Sequence, residues 1–126
     1  MRLASVLSIG ALVLMAACSS NSTSSSGSPS PSIGCVDMRS ESTVVIDMQN
    51  IAFNPKCVTV SGTQTVNLVN KDSVIHNWTV TGTNINVNVQ AGQTQTVTLN
   101  IAAGSTHGFF CRFHQAQGMV GQILVK

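Results

Sequence analysis

Asn84-Ile85-Asn86-Val87-Asn88-Val89 sets an apolar side chain at every second position, and Thr96-Val97-Thr98-Leu99-Asn100-Ile101 repeats the pattern. A period of two puts the apolar groups on one face of an extended chain and the amides and hydroxyls on the other, which describes a half-buried strand. Working outward, further strands are expected at Thr43–Met48, Val58–Val60, Thr65–Val69, Val74–Val80, His107–Cys111 and Gln122–Val125. Turn residues separate them at Asn54-Pro55, Ser61-Gly62, Asn70-Lys71-Asp72, Thr81-Gly82, Ala91-Gly92 and Gly104. No segment carries a 3.6-residue apolar stripe. Many short strands at this spacing predict an all-β, antiparallel sandwich.

The chain has 126 residues, which allows one domain with an appended segment. Only 8% of residues are charged and the formal charge is +2. No basic stripe is present to grip a phosphate backbone, so nucleic-acid binding is not expected. The length excludes a multidomain oxidase or a large α/β enzyme.

Residues 1–17 read as a cleaved leader. Arg2 supplies the positive start, and Leu3 to Ala17 is apolar and small but too short for a comfortable membrane span. Leu14-Met15-Ala16-Ala17-Cys18 reads as a bacterial lipobox, so Cys18 is the expected lipidation site. An ordinary signal peptide with an incidental Cys is the competing reading. Residues 18–34 then form a tether. Nine of the fourteen residues from Ser19 to Ser32 are Ser, and none is apolar. Such a segment cannot bury a face, and as a flexible coil it spans roughly 20 Å. The folded domain is expected at residues 35–126.

Four Cys divide into three jobs. Cys18 belongs to the lipobox. Cys35 and Cys57 lie near strand starts in an exported chain, where a disulfide forms and persists. By the chain-entropy model such a bridge is worth roughly 3 kcal/mol. Cys111 is left over, either a small buried hydrophobe or a thiolate with a task.

Its neighbours bear on that choice. Cys111-Arg112-Phe113-His114-Gln115-Ala116-Gln117-Gly118-Met119 brings a thiolate, an imidazole and a thioether within nine residues. A second imidazole, His76, shares one strand face with Val74, Trp78 and Val80. Taken singly, His76 reads as a hydrogen-bonded core residue and Met119 as core filler. Taken together, two His, one Cys and one Met are the donor set of an electron-transfer copper site.

The stretch from Cys111 to Gly121 resembles the ligand loop of the blue-copper proteins, the cupredoxins, with the Cys-x₂-His-x₄-Met spacing of plastocyanin. His76-Asn77-Trp78 and the early Cys35/Cys57 pair are similar to azurin. Ile51-Ala52-Phe53-Asn54-Pro55, followed by Val58-Thr59-Val60 and Gly62, looks like the opening strands of small bacterial cupredoxins. The resemblance implies a Greek-key β-sandwich holding one copper ion. It implies His76, Cys111 and His114 as equatorial ligands and Met119 as the axial one. It also implies that Asn77 holds the loops together, with its backbone N–H on the Cys111 sulfur. Two positions depart from plastocyanin. Ile75 stands in place of a Pro, and His107 in place of a Tyr makes a second metal-binding group conceivable. The parity of His107 with Phe109 and Cys111 favours burial or a strand-end polar role instead.

The function expected is a membrane-tethered one-electron carrier, monomeric, on the extracytoplasmic side of a bacterial envelope. Ile75, Phe113 and Ala116 are the expected apolar patch for brief docking with redox partners, since electron-transfer encounters use small interfaces. The competing readings are a lipoprotein that stores, delivers or senses copper, and a fold used only as an interaction module. An enzyme is not expected, because a catalytic copper needs further His ligands and the chain has three His in all.

Overall fold

The computed structural model describes residues 34–126; the expected leader, Cys18 and nearly all of the tether lie outside them. Ten strands follow in chain order: β1 (Val36–Asp37), β2 (Thr43–Met48), β3 (Phe53–Asn54), β4 (Cys57–Val60) and β5 (Thr65–Asn70), then β6 (His76–Val80), β7 (Asn86–Val89), β8 (Thr94–Thr98), β9 (Thr106–Phe110) and β10 (Val120–Val125). A single 3₁₀ turn at Gln115–Gln117 interrupts them. They form two sheets, one ordered β1-β4-β10-β9-β6-β7 and the other β3-β2-β5-β8.

The alternation read in the sequence sets which face is buried. On β2, Val44, Ile46 and Met48 point inward, in register with Val66, Leu68 and Asn70 of β5. From the larger sheet, Val58, Val60, Trp78, Val80, Phe109, Ile123 and Val125 meet them. Phe53 and Phe109 close the gap edge-to-face, with ring centroids 5.0 Å apart, a geometry worth about 0.5–1.5 kcal/mol beyond area burial. Each fully buried aliphatic or aromatic side chain adds roughly 1.5–3 kcal/mol relative to exposure.

The sandwich matches the expectation, but its sheets are mixed. β1 with β4, β4 with β10, and β2 with β5 pair parallel. Chain path explains this. The hairpin from β2 to β3 is antiparallel, yet the chain then crosses to the other sheet as β4 and returns beside β2 as β5. Strands joined through such a crossover arrive parallel, and side-chain alternation looks the same in either direction.

The second alternating segment also divides. β8 ends at Thr98, and the next residues change partner: Leu99 N–H bonds Gln64 O at 2.9 Å and Ile101 N–H bonds Gly62 O at 2.9 Å. A Cβ on Gly62 would collide with the carbonyl oxygen of Ile101, so that close approach needs glycine. The disulfide between Cys35 and Cys57 is formed and fastens the start of β1 to β4; Cys111 is the free cysteine among the described residues, and it is buried.

Candidate metal centre

The site lies at the end of the larger sheet where β6 begins and β9 finishes. His76 opens β6, opposite Val89 of β7. Cys111 directly follows β9, and Met119 directly precedes β10. Between them the loop closes on itself. Cys111 N–H bonds Met119 O (3.0 Å), His114 N–H bonds Cys111 O (3.0 Å), and Met119 N–H bonds His114 O (3.2 Å). Gly118, with φ of 85°, ends the 3₁₀ turn by donating to Gln115 O. An L-residue avoids that conformation, so the glycine lets the nine-residue loop turn back and close.

The fold brings three of the four predicted ligands to one point. His76 Nδ1 lies 3.2 Å from His114 Nδ1, Cys111 Sγ lies 3.5 Å from His114 Nδ1, and 3.9 Å from His76 Nδ1. A triangle with these sides has its centre about 2.1 Å from each corner, which is a metal–imidazole bond length and slightly short for a metal–thiolate bond. His76 and Cys111 are fully buried, and His114 is half-buried, so one imidazole edge faces outward. Met119 is fully buried at the same loop. Thiolate with two imidazoles fits copper in both oxidation states, and the donor set is that of a one-copper centre.

Asn77 N–H donates to Cys111 Sγ at 3.3 Å, as expected. Its side chain does something narrower than expected. Nδ2 lies within bonding distance of Asn86 Oδ1, Val87 O and Asn88 Oδ1, and Oδ1 accepts from Thr79 Oγ1. It therefore ties β6 to β7, and reaches the ligand loop only through Arg112, whose Nη2 bonds the same Asn88 Oδ1 at 3.2 Å.

One functional residue escaped the sequence reading. Asp72 Oδ2 lies 2.8 Å from His76 Nε2, the nitrogen turned away from the other ligands. Burial pushes the Asp72 carboxyl up, but the Ile51 N–H, His76 and the Asn50 N–H together hold it below its ordinary value. The spacing Asp72-x₃-His76 was visible, but Asn70-Lys71-Asp72 reads as a turn, and a turn Asp is usually solvated.

Of the expected docking residues, Phe113 is 43% exposed, Ala116 is exposed and Ile75 is half-buried; Val74 is 44% exposed beside them. The Arg112 guanidinium sits 4.9 Å from the Phe113 ring centroid, within cation–π range. His107 is elsewhere. Its Nδ1 meets Thr81 O at 2.8 Å and its Nε2 meets Ser105 Oγ at 3.0 Å, which is a strand-end polar role.

A family model described as a cupredoxin-like domain matches residues 8–125. The chain belongs to the cupredoxin-like family. This cupredoxin is 29% identical over 90 residues to chloroplastic plastocyanin of Chlamydomonas reinhardtii, which covers 64% of the chain and 62% of the plastocyanin. The chain thus spans less than two thirds of that relative's length. Among solved structures it is similar to reduced auracyanin from the photosynthetic bacterium Roseiflexus castenholzii (TM-score 0.57, 22% identity, covering 68% of this chain and 97% of that one). It is also similar to an amicyanin variant in the Cu(I) state (TM-score 0.56, 19% identity, covering 67% and 82%). At these identities the structural likeness establishes the fold.

Proposed function

We propose that this cupredoxin is a one-electron carrier with a single type 1 copper, which His76, Cys111 and His114 would hold, with the Met119 thioether as a weaker fourth donor. The observation that carries the reading is the ligand triangle already sized for a metal among packed side chains. When bound, copper supplies a one-electron couple, and the chain's own residues decide how readily it changes state. Burial of Cys111 and the N–H of Asn77 hold the thiolate in place, and the closed loop holds His114. A site whose donors are set in advance rearranges little, which suits electron transfer better than the release required for copper storage, delivery or sensing. The loop's histidine, His114, half-buried beside exposed Phe113 and Ala116, supports a docking face for redox partners there, with Ile75 and Val74 at its margin.

The same proposal places the domain on the extracytoplasmic side of a bacterial membrane, lipid-anchored through Cys18 and searching on a Ser-rich tether. A reach of roughly 20 Å keeps the domain at high effective concentration near membrane-bound partners. It is read as a carrier and not an enzyme, since two of three His belong to the triangle and His107 is engaged at both nitrogens.

Reconstitution of residues 19–126 with Cu(II) tests the reading. One equivalent should bind with an intense thiolate-to-copper visible band and a narrow copper hyperfine splitting in EPR. Cys111→Ala should abolish the band; a variant that keeps it would sink the assignment. Cys18→Ser should release the protein from membranes with its copper spectrum unchanged.

A further inference from the structure

Asp72 serves more donors than a carboxylate at a turn needs to. Its Oδ1 accepts the Asn50 N–H at 2.8 Å, and its Oδ2 accepts the Ile51 N–H at 3.0 Å while lying 2.8 Å from His76 Nε2. Asn50 and Ile51 are the two central residues of the turn joining β2 to β3, closed by paired bonds between Gln49 and Ala52. Both have φ of 55°. Two successive positive φ values define the tight hairpin turn whose twist matches that of its strands. Asn tolerates that region, but a β-branched Ile does so only when its surroundings hold it there. The carboxylate is what receives both of the turn's inward N–H groups.

Asp72 is itself held. Asn70, 1% exposed, accepts the Asp72 N–H on Oδ1 at 3.0 Å, and its Nδ2 donates to Val74 O and Val89 O. The His76 side chain is fully buried, and that of Asp72 is 16% exposed. One oxygen therefore joins a strained turn of the smaller sheet to a metal-facing imidazole of the larger one.

We propose that Asp72 is a positioning residue that couples the β2–β3 turn to His76, fixing the imidazole with its proton on Nε2 and its Nδ1 lone pair toward Cys111 and His114. A ligating histidine that donates its other N–H to a carboxylate is held in one tautomer and made a more basic donor. The more basic donor favours Cu(II) over Cu(I), so the carboxylate lowers the reduction potential. That last step rests on the copper reading; the tautomer does not.

The test uses Asp72→Ala, Ile51→Gly and the double variant. Glycine adopts the turn conformation without strain, so Ile51→Gly offsets stability that Asp72→Ala loses at the turn while leaving His76 without an acceptor on Nε2. In the apo-protein, ¹⁵N-resolved NMR of neutral His76 should show only the Nε2–H tautomer in wild type and in Ile51→Gly, and a mixture of tautomers in the double variant. In the copper-loaded protein the double variant should favour Cu(I) about tenfold more than wild type, the lower bound for loss of such a partner, which is a rise of about 59 mV for one electron. A double variant with the wild-type tautomer and potential would show that Asp72 only clamps the turn, and mixed tautomers in the wild-type apo-protein would overturn the coupling. Failure of copper binding with the tautomer result intact would strike the proposed function and leave the positioning role standing.

Discussion

His76 and His107 occupy opposite ends of the paired strands β6 and β9, and each has both ring nitrogens within reach of partners. β6 leaves His76 and ends near Thr81, where β9 brings His107. At His107 both partners are ordinary protein groups, a carbonyl and a hydroxyl, so the ring is spent on holding the strand end. At His76 one nitrogen is taken by Asp72, and the other faces a second imidazole and the Cys111 sulfur, with no carbonyl or hydroxyl partner among the described residues. Three atoms of metal-ligating type facing one another in a buried space are an arrangement that a bound cation satisfies. The same residue type is therefore structural where its partners complement it and functional where they do not.

Breaking that contrast gives the largest expected effect. His76→Ala should reduce copper affinity by more than about 100-fold, beyond the range for loss of a hydrogen-bonding neighbour, as measured by competition with a chelator. His107→Gln should leave the copper spectrum and affinity unchanged and cost about 1 kcal/mol, the net value of a hydrogen bond, read from denaturant unfolding. Equal losses of copper in both variants would erase the distinction.

A smaller effect sharpens the picture of the metal end. Met119→Leu should keep the visible band and raise the reduction potential, because losing a weak axial donor destabilises Cu(II) more than Cu(I); voltammetry reads the shift. Phe113→Asp should preserve stability and spectrum but slow electron exchange with a redox partner protein by about tenfold, a common span for one interface's association rates. An unchanged stopped-flow rate would mean that the electron leaves by another face.

The smallest effect lies far from copper. The Arg39 side chain, with its backbone N–H, holds Asp37 down to about 2 from an ordinary 3.8. A depressed carboxylate contributes stability above its unfolded pKa, and that contribution fades as pH falls from about 4 through 2. Both side chains are about half exposed, so screening keeps the pair weak. Arg39→Ala removes the side-chain partner but keeps the backbone N–H, so it should raise Asp37 part of the way from about 2 toward its ordinary value in an NMR titration and leave the thermal midpoint at neutral pH where it was.

The parts of this molecule legible in the sequence are those settled within one strand or one loop. Alternation in Ile85, Val87 and Val89 marks a half-buried strand whatever lies beside it, because side-chain direction is a local property of extended backbone. Cys111 and His114 lie three residues apart, so their convergence needs only a loop that closes, and the glycine that lets it close stands just before Met119. The pairing of Cys35 with Cys57 followed from a short cysteine count. What only the tertiary structure decided are relations between distant segments. The parallel pairing of β2 with β5 depends on the path of the intervening chain, and residue pattern carries no record of strand direction. His76 lies far from Cys111 in sequence, and only the packing of β6 against β9 makes it a neighbour of the thiolate. Asp72 owes its role to Asn50 and Ile51, which approach it from the distant β2–β3 turn. A carboxylate in a turn looks solvated until the backbone that surrounds it is in place, since hydrogen-bond partners are selected by position in space and not along the chain.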